Sequence, residues 1–181
     1  MNPAVASPVV SVRSRLANHS SFSSSGTRRI DVVCMDNGSL IKANNLTALQ
    51  KLIYHGNDMF TVITERQRLV FRHTLNVHGW NVQAKLTMWI SPDVASLGTI
   101  AKFVTSFYKN DMREITTGLL AVALRPYVEA AIMENLSFVT VYRVPLGSPI
   151  KNASRHERLS KVCASKGLHL FTDELVIESV C

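Results

Sequence analysis

The sequence lacks the short motifs that mark several common enzyme classes. It contains no G-x-x-x-x-G-K-[ST], G-x-G-x-x-G, G-x-S-x-G or H-E-x-x-H, the signatures of phosphate loops, dinucleotide folds, serine esterases and zinc proteases. Its three cysteines, Cys34, Cys163 and Cys181, form neither an even disulfide set nor a pair with metal-ligand spacing. We therefore predict a non-enzymatic protein that holds no metal or cofactor and works in a reducing compartment.

Long apolar runs and a secretion signal are also missing. The most apolar segment, residues 115–136, is interrupted by Arg125, Glu129 and Glu134 before it reaches the roughly 20 residues that a bilayer requires. Near the N-terminus the short VASPVVSV stretch precedes the nearby arginines, whereas a signal peptide places its positive charge first. The sequence therefore predicts a protein that is not secreted and has no transmembrane segment.

The composition is that of a folded chain with an unusual basic end. The chain has 181 residues, of which 46% are hydrophobic and 18% charged, values typical of a single globular domain. Residues 1–29 are rich in serine and hold four basic residues and no acidic one: Arg13, Arg15, Arg28 and Arg29. Such a segment buries too little apolar surface to offset its ordering entropy. We predict a disordered basic arm at 1–29 and one globular domain at 30–181.

Hydrophobic periodicity in residues 30–181 predicts both strands and helices. Asn37-Gly38 and His78-Gly79 each separate two β-rich runs, which indicates two hairpins. Ser91-Pro92-Asp93 is typical of a helix start and precedes an apolar stripe at helical spacing. The segment 115–136 fits either a strand or a helix. The predicted fold is α+β, with an antiparallel sheet packed by one long helix and two shorter helices.

A second cluster of positive charge lies near the C-terminus. Ser154 and Glu157 fit a capping box that begins a short helix. Five basic residues lie in and around it, and most of them avoid its apolar stripe: Lys151, Arg155, Arg158, Lys161 and Lys166. Together with the four arginines of the arm, they form the predicted polyanion-binding surface, which would neutralise the phosphates of RNA or of anionic lipid. Aromatic residues do not alternate with these charges, so we expect contacts to phosphate rather than stacking on bases.

The order of elements supports a family resemblance. Behind the basic arm, residues 60–145 follow the order VQAKLTMWI, SPDVASLGTIAKFVTSFY, GLLAVAL and FVTVYRV, read as strand, helix, apolar segment and strand. The chain resembles the matrix proteins of plant rhabdoviruses, especially those that replicate in the cytoplasm. The resemblance lies in its length, its basic arm and the order of its elements. The P-P-x-Y motif of the animal-virus members is absent from the arm, which removes the one specific marker of the group.

The resemblance implies a structural role in a virion. A protein of this kind self-associates into homo-oligomers and bridges the viral nucleocapsid, or its RNA, to an anionic membrane, within the virion and the host cytoplasm. The alternative prediction is a viral protein that binds RNA independently of sequence, either a silencing suppressor or a coat protein.

Overall fold

The computed structural model describes residues 8–14, 29–35, 39–45, 47, 58–107, 114–138 and 143–181. In chain order its strands are β1 Pro8–Ser14, β2 Arg29–Cys34, β3 Leu40–Lys42, β4 Asp58–Ile63, β5 Gln67–Val77, β6 Trp80–Pro92, β7 Glu114–Thr116 and β8 Leu168–Val180. Within the described residues the α-helices are α1 Leu97–Phe107, α2 Thr117–Phe138 and α3 Ala153–Ser165, and a 3₁₀ turn spans Ala43–Asn45. The predicted α+β class is confirmed.

The chain divides into two compact units, each assembled from three separate stretches. Unit 1 takes residues 1–65, 91–119 and 166–168, and unit 2 takes 66–90, 120–165 and 169–181. The sequence gives no sign of this interleaved division. The prediction of one domain over 30–181 stays a prediction.

Unit 1 contains a five-stranded sheet in the order β3-β2-β4-β1-β7. The registers of its neighbouring strands are antiparallel throughout. Met59, Phe60, Thr61 and Val62 of β4 are consecutive and all buried, as expected for a strand with neighbours on both sides and both faces covered. The predicted hairpin of β2 and β3 is confirmed by the pairing of Val33 with Ile41, whereas its Asn37-Gly38 turn lies outside the described residues.

The N-terminal arm prediction is wrong for Pro8–Ser14, which forms β1. This strand lies between β4 and β7, with Val10 opposite Val62 on one side and Ile115 on the other. Its sequence PVVSVRS is rich in β-branched valine, and proline occupies the first strand position, where a missing N–H is tolerated. These local preferences outweigh the polar composition of the arm as a whole. Residues 1–7 and 15–28 lie outside the described residues.

Helix α1 of unit 1 begins five residues later than Ser91-Pro92 predicts. Ser91 and Pro92 are instead the last residues of β6. Ser96 caps the helix, because its Oγ accepts a hydrogen bond of 3.1 Å from the Thr99 N–H. The helix buries one apolar stripe, which consists of Ile100, Phe103, Val104 and Phe107.

Unit 2 contains a three-stranded sheet in the order β5-β6-β8. Strands β5 and β6 form the predicted hairpin, with antiparallel pairing from Gln67 opposite Ile90 to Val77 opposite Trp80. His78 and Gly79 both have positive φ, 52° and 90°, which matches the two-residue turn that follows the twist of the strands. Alternation along β6 buries Val82, Ala84, Leu86, Met88 and Ile90 on the inner face.

Residues 117–138 are helical, which decides the question that the sequence leaves open. Helix α2 has a fully buried stripe at steps of about four residues: Leu120, Leu124, Val128, Ala131, Ile132 and Leu136. Pro126 lies inside the helix on its exposed side, together with Val122. The predicted strand at 138–144 is wrong at both described ends, since Phe138 closes α2 and Arg143 and Val144 lie outside any strand. Residues 139–142 lie outside the described residues.

Among the helices that the structure describes, none combines the length and the apolar character needed to cross a membrane.

Candidate nucleic-acid interface

A cleft of about 640 Å³ opens in unit 2. One wall is the outer face of the sheet, with Arg68 from β5 and Lys85, Thr87 and Trp89 from β6. The opposite wall is the segment from Pro149 to His156, which includes the beginning of α3. Residues of β8 from Phe171 to Glu174 complete the lining. The cleft therefore joins a sheet surface to the N-terminal end of a helix.

The sheet wall places an exposed aromatic ring beside a guanidinium. Trp89 is 40% exposed, because the alternation that buries Met88 and Ile90 directs their neighbour outward. Arg68 lies directly opposite Trp89 in the β5–β6 register. Directly opposite residues on neighbouring strands have side chains close enough to interact. Among the described residues Arg68 makes no ion pair, so its charge is available to a ligand.

A second pair of an arginine and an aromatic ring extends this surface. The guanidinium carbon of Arg66 lies 4.1 Å from the centroid of the Phe171 ring, which is a cation–π contact. His169 packs edge-on against the same ring, with centroids 4.5 Å apart. Phe171 lines the cleft, so the aromatic surface reaches from β6 to β8.

One carboxylate restrains two further basic residues of the sheet. Glu178 of β8 bonds Lys85 at 3.0 Å and Arg72 at 3.1 Å. The hydrogen bond from Lys85, followed by that from Arg72, lowers the pKa of the Glu178 carboxyl, because both cations favour its charged form. Lys85 lines the cleft, and Glu178 partly compensates its positive charge there.

The helical wall begins at Asn152, not at Ser154 as the capping box predicts. The Arg155 N–H donates to Asn152 Oδ1 at 3.0 Å, and the His156 N–H donates to the Asn152 carbonyl at 3.2 Å. Asparagine is as favourable a cap as serine, so two candidates two residues apart compete. Lys151 precedes the cap, is exposed, and makes no ion pair among the described residues.

Arg155 does not lie on an exposed helical face, as the polyanion prediction requires. Its side chain is 2% exposed and its Nε donates to Asp173 Oδ2 at 2.5 Å, while Nη2 donates to the Ile150 carbonyl at 2.8 Å. Arg155, Leu159 and Cys163 recur at four-residue steps and form the buried stripe of α3. The long apolar stem of arginine allows this burial once Asp173 neutralises the guanidinium.

Asp173 also holds His156, and one atom of Arg155 is left without a partner. His156 Nδ1 lies 2.6 Å from Asp173 Oδ1, and its side chain is 44% exposed. Arg155 Nη1 is buried and has no hydrogen-bond partner among the described residues. An unsatisfied buried donor of this kind costs about 1–3 kcal/mol, more if charged. Arg155 therefore retains an unused hydrogen-bond donor within the helical wall.

The remaining predicted polyanion residues are spread over the molecule. Arg158 pairs with Glu134 of α2, and Lys161 pairs with Glu157 at 2.7 Å, which lowers the pKa of that glutamate through a hydrogen bond and its charge. Lys166 is half-buried in unit 1. Arg13 lies in β1 opposite Met59, and Arg29 is exposed at the start of β2. Arg15 and Arg28 lie outside the described residues. Of the predicted residues that the structure describes, Lys151 and Arg155 alone line the cleft.

Metal chemistry finds no support in the part of the chain that the structure describes. No group of three or more histidine, cysteine, aspartate or glutamate side chains is close enough there to hold an ion. The cleft offers instead four cationic side chains, Arg68, Lys85, Lys151 and Arg155, against the two carboxylates Asp173 and Glu174. Its chemistry suits a ligand that is both anionic and aromatic.

Sequence reasoning missed the sheet wall of this cleft. Trp89 and Arg68 are far from the two basic clusters along the chain, and neither belongs to a motif. The alternation of Ala84, Leu86 and Met88 did contain a signal, since it places Lys85, Thr87 and Trp89 together on the opposite face. The pairing of β5 with β6 was needed to bring Arg68 to them.

No protein-family model matches this chain, and neither a curated protein nor a solved structure is similar enough to match it.

Proposed function

We propose that this protein is a non-enzymatic RNA-binding protein that holds a single strand in the unit 2 cleft without reading its sequence. The observation that carries the proposal is a pair of neighbouring side chains on the sheet wall of a basic cleft. Trp89 is exposed there, and Arg68 is its partner in the β5–β6 register. An aromatic side chain stacks on any base, and a neighbouring cation binds the adjacent phosphate. This is the RNA-binding alternative predicted from the sequence, with its contact surface moved from the basic arm and helix to the sheet.

The size of the cleft favours a single strand over a duplex. Its volume of about 640 Å³ lies within the range of about 300–1,000 Å³ in which proteins bind small organic ligands. One or two nucleotides fit such a space, whereas a duplex keeps its bases stacked on each other and away from Trp89. Single-stranded RNA offers unstacked bases and a phosphate for each of them.

The excess of positive charge in the cleft supports binding to phosphates. Arg68 and Lys151, one on each wall, have no ion-pair partner among the described residues. Their contacts to phosphate would release counterions and make the affinity depend on salt. The matrix-like role in a virion, with self-association and contact to an anionic membrane, stays a prediction from the resemblance.

The experiment uses the two tryptophans as a matched pair. Trp80 is 43% exposed at the end of the hairpin and does not line the cleft, whereas Trp89 is 40% exposed within it. Binding of a fluorescein-labelled 12-nucleotide poly(U) strand is measured by anisotropy for the wild-type full chain, Trp89→Ala and Trp80→Ala. A stacked base contributes about 1–3 kcal/mol, so Trp89→Ala should weaken binding about 5- to 100-fold.

Trp80→Ala should bind the strand as the wild-type protein does. Equal affinities for all three proteins would contradict the proposed cleft. Absence of measurable wild-type binding at low salt would overturn the proposed function itself.

A further inference from the structure

The cleft ends at the N-terminus of α3, where Lys151, Asn152 and Ala153 line it. A helix of 13 residues carries a partial positive charge at its N-terminus, where the first backbone N–H groups have no partner within the helix. Such an end attracts anions in general and does not specify a ligand on its own.

Arg155 supplies the independent observation. Its guanidinium is 2% exposed in the cleft wall and bonds Asp173 through Nε and the Ile150 carbonyl through Nη2. Both partners also line the cleft, and Nη1 is left without a hydrogen-bond partner among the described residues. A guanidinium presents its N–H groups as a planar fork that matches the oxygens of a phosphate.

We propose that this end of the cleft binds a phosphate monoester, the terminal phosphate of an RNA strand whose next bases lie along Trp89. The inference deepens the proposed function and rests on it. Lys151, the N-terminus of α3 and Arg155 Nη1 together supply a charged amine, backbone N–H groups and a buried guanidinium. A terminal phosphate carries about −1.5 to −2 charge near neutral pH, whereas an internal phosphodiester carries about −1. The site therefore prefers a strand with a phosphorylated end.

Two features of the wall shape this site. Arg155 Nη1 is buried in this structure, so its contact with a phosphate includes a local movement of the residues around it. The carboxylates Asp173 and Glu174 also line the cleft. Asp173 is bonded by His156 and forms an ion pair with Arg155, which compensates its charge, and Glu174 is exposed to solvent, which screens it.

The experiment compares strands that differ only at their ends. Three 10-nucleotide poly(U) strands carry a 5′-phosphate, a 3′-phosphate or hydroxyl groups at both ends, and each is titrated against the full chain at 150 mM salt. We expect one phosphorylated strand to bind at least about 5-fold more tightly than the hydroxyl strand, consistent with a contact to a charged group. The two phosphorylated strands show which end enters the site.

Asn152 allows a matched pair of variants that leaves the buried guanidinium in place. Asn152→Asp and Asn152→Ser both keep a side-chain oxygen to cap α3, but only aspartate adds a negative charge to the site. Asn152→Ser should keep the preference for the phosphorylated end, and Asn152→Asp should abolish it while the melting temperature of both stays near that of the wild type.

The outcomes separate this inference from the proposed function. Equal binding of all three strands, or a preference that survives in Asn152→Asp, overturns the terminal-phosphate site while leaving RNA binding intact. If no strand binds, the proposed function fails. The anion site is then tested separately, by titrating the protein with inorganic phosphate alone and following the amide resonances of residues 151–155 by NMR. Saturable shifts that Asn152→Asp removes support the anion site, and their absence overturns it.

Discussion

The Nε of Arg155 donates a hydrogen bond to Asp173 Oδ2 at 2.5 Å, and both side chains are only 2% exposed. This pair connects the first turn of α3 to β8 in unit 2. A buried ion pair contributes little relative to a well-packed apolar pair, but removal of one partner leaves the other charge buried and uncompensated. The packing of α3 on β8 therefore depends on both charges being present.

We expect Asp173→Asn to lower the free energy of unfolding by about 3–5 kcal/mol, because Arg155 then keeps a buried charge without a counterion. Denaturant unfolding followed by circular dichroism measures the loss. Lys161→Gln is the control, since it breaks the solvent-exposed pair with Glu157 and should leave the unfolding midpoint unchanged. A loss of less than about 1 kcal/mol in Asp173→Asn would show that the pair is not structurally important.

Gly167 permits a close approach of backbones in unit 1. A Cβ at this position would lie 2.4 Å from both the Phe103 nitrogen and the Thr99 carbonyl oxygen of α1, and the residue has a φ of +69°. Gly167→Ala should therefore displace α1 and cost several kcal/mol of stability. Gly147→Ala is matched in backbone angle, with a φ of +76°, but meets nothing within 4 Å. It should cost about 1–2 kcal/mol, and similar losses for both variants would contradict the close approach.

The loss of stability at acidic pH should depend on the ion pairs of Glu178 with Lys85 and Arg72. Lys85, with Arg72, lowers the pKa of this carboxyl in the folded protein below its unfolded value. Its stabilising contribution is therefore complete above the unfolded pKa and is lost as the pH falls through the folded pKa. Glu178→Gln should flatten the decline in stability on the acidic side.

Lys85→Met tests the cause, because it removes the largest contributor to this shift. The pKa of Glu178, followed by carboxyl NMR, should then rise toward the ordinary value of glutamate. An unchanged pKa in Lys85→Met would mean that the ion pair does not form in solution.

The salt dependence of RNA affinity should distinguish the cleft from the helix surface. The double variant Arg68→Gln/Lys151→Gln removes two cleft cations, and Arg158→Gln/Lys161→Gln removes two that are already paired with glutamates. If each cleft cation contacts one phosphate, the first variant should reduce the slope of log affinity against log salt by about 1.4, at about 0.7 per contact. The second should leave the slope unchanged, and equal effects would place the contacts outside the cleft.

Local sequence patterns predicted the hairpins but not every boundary. The β5–β6 hairpin follows from alternation and from His78-Gly79, since both signals act within a few residues. The start of α1 did not follow from Ser91-Pro92, because β6 continues through both residues and Ser96 offers a second cap. Pairing with neighbouring strands outweighs a local helix signal in this segment.

Arg155 shows a different limit of sequence reasoning. It precedes Leu159 and Cys163 by four and eight residues, so helical spacing already places it on the buried stripe. Charged residues are nearly always assigned to the surface, and only a partner distant in sequence, Asp173, makes its burial possible. Clustering of charge along the chain therefore assigned a buried arginine to the predicted surface.

The position of β1 also determines the order in which unit 1 can assemble during synthesis. Val10 pairs with Val62 of β4 and with Ile115 of β7, so β1 leaves the ribosome long before either of its neighbours. Strands β1 and β2 can both pair with β4 once Ile63 has emerged, but the sheet order β3-β2-β4-β1-β7 is complete only after Thr116 has emerged. Contacts of such long sequence separation form slowly. The nascent chain therefore exposes the outer edge of β1 until β7 emerges, and this interval is when chaperone capture or misassembly is most effective.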